Sequence, residues 1–262
     1  MPTPDAFSLR AVDLVEQGTT LLRGLDWTAR RDQRWVVLGP NGSGKTSILR
    51  LLSFTRAPSR GTVTVLGETY GAVDVRRARR RIGIASSAVL QQLRPAVSAH
   101  DAVLTGADAA LETWWSTYDG SQHARADALL DFVGCAGHAA QEIGTLSEGE
   151  RKRVLIARML MAEPELLLFD EPCAGLDLGG REGLVAVLGE LAREPDRPLV
   201  LVTHHLEEIP AGITHALLLR SGGVVAAGPL AETLTSLTVS ETFRVSVSVE
   251  GRDGRWFARI MR

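Results

Sequence analysis

The eight residues Gly39, Pro40, Asn41, Gly42, Ser43, Gly44, Lys45 and Thr46 constrain the fold of this chain more than any other stretch. They fit G-x-x-x-x-G-K-[ST] and lie between a short apolar run, residues 34–38, and a helix-prone run from Ser47 to Leu52. Strand, glycine loop and helix are the context that motif requires. The glycines let successive main-chain N–H groups turn inward around a polyphosphate, and the helix N-terminus adds partial positive charge. In such a loop Lys45 reaches the outer phosphate oxygens and the Thr46 hydroxyl is a ligand for Mg²⁺. The expectation is a nucleoside-triphosphate site in an α/β domain.

Lysine usage supports the same residue independently. Of the 29 basic residues only Lys45 and Lys152 are lysine. A chain so biased toward arginine, with a lysine at this position, needs a compact ammonium there rather than a planar guanidinium.

The remaining composition bounds the answer without sharpening it. A chain of 262 residues accommodates one large α/β domain with subdomains. Its 45% hydrophobic and 23% charged content is ordinary for a globular protein, and a net charge of −2 gives no reason to expect a polyanion as main partner. Cys135 and Cys173 match no metal spacing and read as buried, inert thiols in a reducing compartment. The first ten residues lack the basic start and apolar core of a leader, and no apolar run approaches the roughly 18 residues of a membrane span. A cytoplasmic chain, able to dock at the inner face of a membrane, is the expectation.

Along the chain, strand-like alternation at 7–15, 20–29 and 33–38 precedes the glycine loop, and residues 62–66 and 82–86 read as further strands. From about Val89 to Ala162 the pattern is helical. Strands at 166–169, 199–203 and 216–219 then alternate with a helix over 180–193. That βαβ rhythm predicts a parallel sheet with helices packed on it, the helical stretch being an insertion in one core. The chain is read as one domain over 1–238 and a C-terminal β-hairpin extension over 239–262, with strands at 243–249 and 255–260 around a five-residue turn.

Two segments carry further chemistry. Residues 166–169 are apolar and run into Asp170 and Glu171, so a buried parallel strand delivers two carboxylates to the sheet edge where ligands bind. There Asp170 is placed to hold Mg²⁺ and Glu171 to polarise an attacking water. Ser147 opens a helix as N-cap, with Glu150 three residues on as its capping-box partner. This can be no more than a well-capped helix.

The order and spacing of these segments resemble the ATP-binding cassette (ABC) ATPases. Ser147 and Gly149 stand at the Ser and second Gly of the family's Leu-Ser-Gly-Gly-Gln segment, with Glu148 and Glu150 replacing its first Gly and its Gln. Residues 174–177, ending in Asp177, match the D-loop, and residues 202–208 match the switch-histidine segment with His204 in the switch position. The resemblance spans about residues 7–235. It implies an α/β P-loop NTPase with a RecA-like core, an antiparallel β subdomain and a helical subdomain at about 89–162.

It further implies ATP and Mg²⁺ as cofactors, with Gly39 through Ser47 on the nucleotide. Glu171 would be the catalytic base and His204 a γ-phosphate contact. Ser147, Gly149, Glu150 and Asp177 would act across a homodimer, or a pair with a related ABC subunit, around two ATP. Transport through a separate transmembrane permease is the implied role. The alternative is a soluble ATP-switched module acting on nucleic acid or a cytosolic complex. The segments at 82–88 and 204–210, with Trp35, are also similar to the molybdenum-associated, ModF-like branch.

Two positions depart from the family pattern. Ser87 stands where a glutamine is usual, with Gln91 and Gln92 following, and Val15 and Glu16 occupy the place of the adenine-stacking aromatic. The basic run at 76–81 reads as a solvated helix face, so nucleic acid is not the favoured partner. Trp114, Trp115 and Tyr118 read as local packing, with docking to a membrane partner the lesser expectation.

Overall fold

The computed structural model describes residues 3–108 and 117–261, so Trp114 and Trp115 lie outside the described residues. The chain opens with two long strands, β1 (Asp5–Glu16) and β2 (Thr19–Arg30), whose alternation buries Phe7, Leu9, Leu22 and Leu25 on one face. Strand β3 (Arg34–Leu38) leaves for a second sheet, while β4 (Arg60–Val65) and β5 (Glu68–Thr69) complete the first, antiparallel in the order β2-β1-β4-β5.

The second sheet takes in β6 (Ile82–Ala85), β7 (Leu166–Asp170), β8 (Leu199–Thr203), β9 (His215–Arg220) and β10 (Gly223–Pro229), in the order β10-β9-β3-β8-β7-β6. All its pairs are parallel except β9 with β10. Its central strands are apolar on both faces, as covered parallel strands must be. Val36, Leu167 and Leu201 point to one core, and Val37, Leu168 and Val202 to the other.

Helix α1 (Lys45–Leu52) and the antiparallel sheet cover the second face, and the short α2 (Val75–Arg79) adds Ala78 to that core. The first face carries α3 (Ser87–Leu90), α4 (Ala99–Leu104), α5 (Gly120–Phe132), α6 (Glu148–Met161) and α7 (Leu178–Arg193). Of these, α4, α5 and α6 pack on one another as the expected helical insertion. No helix among the described residues is long and apolar enough to cross a membrane.

The C-terminal region differs from expectation. After α8 (Leu230–Thr233), residues 239–243, expected to open the hairpin extension with a strand from Phe243, belong to α9 (Ser236–Phe243). Thr235 and Thr238 form a capping box that starts this helix, and Arg244 ends it with φ of 56°. Local caps override the β-branched content of the run. The hairpin is therefore shorter, β11 (Val247–Arg252) with β12 (Arg255–Ile260). Its turn is two residues, not five: Arg252 pairs with Arg255, and Asp253 and Gly254 have φ of 52° and 74°. Strand β10 was not anticipated, because its Gly- and Ala-rich sequence carries little alternation.

The basic run is partly committed to structure. Arg79 Nη2 donates to the Phe54 carbonyl at 2.6 Å, and Arg81 pairs with Glu165 at 2.5 Å. Arg76, Arg77 and Arg80 remain exposed. Both cysteines are buried and free; burial pushes the Cys173 thiol up to about 12 and also raises Cys135.

Trp27 joins the two sheets. Its ring stands edge-on to Phe7 at 4.6 Å and to Trp35 of β3 at 5.3 Å. Trp27→Ala should cost about 3–5 kcal/mol through the cavity it leaves, read as a lowered midpoint in urea unfolding.

Candidate functional site

Strand β3, with every residue buried, ends at Leu38, and the glycine loop leads directly into α1. Gly44 caps that helix in a left-handed conformation, φ 103°, and a Cβ there would meet Leu22 Cδ2 at 2.7 Å and the Leu21 carbonyl at 2.8 Å. Only glycine fits the turn and the close approach together. The Lys45 ammonium is 5% exposed and folds back over the loop, donating to the Gly39 carbonyl at 2.8 Å and to that of Pro40 at 3.2 Å. Ser43 and Ser47 are buried beneath it.

Strand register brings the acidic pair alongside. Leu38 pairs with Thr203, and Asp170 with Val202, so β3, β8 and β7 end at one edge. The Thr46 hydroxyl donates to Asp170 Oδ1 at 3.2 Å. Burial raises the Asp170 carboxyl above its ordinary value, while the Thr46 hydrogen bond works against that shift. Hydroxyl and carboxylate oxygens form a hard donor pair suited to Mg²⁺, and a carboxylate left costly by burial is what a cation would relieve.

Glu171 follows with φ of 46°, unusual for a residue with a side chain, and its N–H bonds the Val202 carbonyl at 3.0 Å. This turn places Glu171 Oε1 3.5 Å from Lys45 Nζ and 3.3 Å from His204 Nδ1. The His204 Nδ1 makes no hydrogen bond, so the contact is one of proximity alone. His205 faces solvent, as expected.

A cavity of about 800 Å³ opens at this edge, lined by Gly42, Lys45, Thr46, Ser47, Asp170 and Glu171 among others. Asn41 and Gly44 also line it, and so do Ser86 and Gln91; the Ser87 side chain lies outside the described residues, and Gln92 is exposed away from the cavity lining. Val15 is 43% exposed, and the Glu16 carboxylate is engaged by Arg56 at 2.6 Å.

Helix α6 begins with the expected capping box: Ser147 Oγ accepts from the Glu150 N–H at 3.3 Å, and Glu150 Oε2 accepts from the Ser147 N–H at 2.7 Å. Those hydrogen bonds hold the Glu150 carboxyl below its ordinary value. Asp177 caps α7, accepting from the Gly180 N–H at 2.7 Å. Glu148, Arg151, Lys152 and Leu155 share the α6 face that lines the cavity, whereas Ser147, Gly149, Glu150 and Asp177 do not line it.

Three supporting residues escaped the sequence reading as site residues. Lys152 Nζ donates to the Ala174 carbonyl and lies 3.5 Å from Glu148, tying the start of α6 to the segment before Asp177. Its rarity as one of two lysines was the available signal. Glu208, 4% exposed, accepts from the Thr203 hydroxyl, which itself accepts from the His205 N–H, fixing the turn that carries His204. Arg255 bridges to the same turn, and no local pattern announces it.

Comparison with known proteins agrees with this geometry. The family model described as ABC transporter matches residues 22–174. YlmA of Bacillus subtilis (strain 168), an uncharacterised ABC transporter ATP-binding protein, is 38% identical over 248 residues, covering 94% of each chain. Among solved structures, CbiO1 from Clostridium perfringens, part of the ABC transporter complex CbiONQ, superposes with a TM-score of 0.77 at 25% identity over 91% of this chain and 94% of that one. A dimeric ATP-binding cassette in a post-hydrolysis state with ADP and Pi shares the fold, at TM-score 0.74 and 24% identity over 86% and 98% of the two chains. The chain belongs to the ABC transporter family, as an ATP-binding subunit with ATPase activity.

The raised Asp170 pKa has a consequence for stability. An acid harder to ionise in the fold than in the unfolded chain destabilises the native state where it is charged. The penalty is absent below the ordinary value of 3.8, grows as pH rises toward the raised folded value, and is complete above it. Asp170→Asn should therefore raise the melting temperature of the nucleotide-free protein at pH 7. The advantage over the parent should shrink as pH falls through the Asp170 transition, as followed by thermal melts across pH.

Proposed function

We propose that two copies of this chain, or one copy and a related ABC subunit, close head-to-tail on two MgATP, hydrolyse them and reopen. The motion drives a membrane-embedded partner carried on another chain. The Gly39–Gly44 loop amides and Lys45 hold the phosphates, and Thr46 and Asp170 hold Mg²⁺, which would neutralise charge developing between the outer phosphates. Glu171 accepts the proton of the attacking water, and His204 holds the γ-phosphate in line.

The observation that carries this reading is the division of labour within one chain. Lys45, Thr46, Asp170 and Glu171 line a single cavity, while Ser147, Gly149, Glu150 and Asp177 stand outside it. Ser147 and Gly149 lie off the α6 face that lines their own cavity, which leaves that serine-headed helix start available to another protomer's γ-phosphate. Relatives belonging to transporter complexes support a permease as the partner, and a subunit working with one sits peripherally at the cytoplasmic membrane face. The exposed arginines of α2 do not favour nucleic acid: two of the run are bound within the chain and no aromatic interleaves them.

Glu171→Gln should retain ATP binding and reduce phosphate release about 100-fold or more. With saturating ATP and Mg²⁺, the same variant should shift from monomer to dimer in light scattering. A variant that binds ATP yet stays monomeric would overturn the trans arrangement. Turnover equal to the parent would remove Glu171 as the base.

A further inference from the structure

The C-terminal hairpin is anchored by one side chain that reaches two elements of the catalytic edge. Arg255, first residue of β12, grips Glu182 with both guanidinium arms, Nη1 to Oε2 at 2.7 Å and Nη2 to Oε1 at 3.0 Å. Its Nη2 also donates to the Glu207 carbonyl at 2.7 Å. Glu182 sits early in α7, five residues after the Asp177 cap, and Glu207 lies three residues after His204 in the short 3₁₀ turn Leu206–Glu208.

The rest of the hairpin holds this arginine in place. Val247, Val249, Trp256 and Ala258 pack against the main core, and the tip at Gly254 lies close to Ala211. The tight two-residue turn fixes where Arg255 leaves the backbone. Bidentate guanidinium–carboxylate pairing specifies direction as well as distance, so the three hydrogen bonds set α7 relative to the His204 turn. Glu182 is half-exposed, and ion pairs of that kind contribute little to overall stability. What this contact supplies is alignment.

We propose that Arg255 is a positioning residue for ATP hydrolysis. It braces the helix that starts at Asp177 against the turn that carries His204, so the hairpin sets the rate of the chemical step without touching the nucleotide. The proposal rests on His204 acting at the γ-phosphate. Misplacement of a catalytic group by about 1 Å, caused by a change far from the chemistry, can slow turnover about 100-fold.

The test is steady-state ATPase kinetics on the purified full chain, with melting temperature measured in parallel. Arg255→Gln should lower kcat about tenfold, with the KM for ATP within about twofold of the parent and the melting temperature lowered by no more than roughly 3 °C. Arg255→Lys, which keeps the charge but loses the fork, should recover part of the rate. Glu182→Gln should reproduce the loss, and the double variant should be no slower than either single one.

Should Arg255→Gln fail to fold, Glu182→Gln carries the same test on a half-exposed side chain. An unchanged kcat overturns the brace, as does a rate loss that follows loss of folded protein. His204→Ala, run alongside, separates the two claims. Full turnover in that variant refutes the site reading, whereas loss there with full turnover in Arg255→Gln refutes only the brace.

Discussion

Three neighbouring strands, β3, β8 and β7, are buried on both faces and paired in parallel, so a slip by one residue would exchange the side chains that fill the two cores. Their common register brings the glycine loop, the acidic pair and His204 to one edge. Lys45, Glu171 and His204 come from three separate strand ends, and their separations of 3.3–3.5 Å follow from that pairing. The loops add direction: Gly44 turns the chain into α1, and the positive φ of Glu171 swings its carboxylate across the edge.

The same edge is costly to the empty protein. Asp170 is partly desolvated, and Glu171 sits in a backbone conformation that disfavours side chains. The Lys45 ammonium is satisfied by carbonyls of its own loop, contacts that would be exchanged for phosphate under the proposed function. Strain and charge at a functional edge are offset by the deep cores on both sides of the sheet. Around it, Lys152 and Glu208 hold the flanking segments from within the domain.

Much of the core was legible because its signals are local. The loop from Gly39 to Thr46 states its own geometry, and the apolar runs of β3, β7 and β8 are too short and too uniform to be anything but buried strands. The capping box of Ser147 and Glu150 was readable for the same reason. Asp170 and His204, by contrast, acquire meaning only beside the loop, and it was their order along the chain that placed them there. Residues 239–243 were assigned to the hairpin extension because the Thr235–Thr238 capping box that starts α9 is less plain in sequence than a Ser-x-x-Glu pair. Strand β10 offered no alternation to read. Arg255 was invisible in principle: its partners are 73 and 48 residues away, and nothing in the hairpin's own sequence points to them.

The cap of α6 has a bearing on how tightly an anion can be held there. Glu150 accepts the main-chain N–H of Ser147, and its hydrogen bonds keep it ionised well into the acid range. Glu148 adds a second carboxylate one turn-step away. His138 Nε2 lies 3.2 Å from Glu150 Oε1. A phosphate approaching Ser147 would therefore meet the Glu150 carboxylate at a helix start whose amide dipoles would otherwise attract it, while Glu148 is engaged by Lys152. A γ-phosphate held there, as proposed, would be gripped less tightly than by neutral glycine and glutamine, which would favour letting go over holding on.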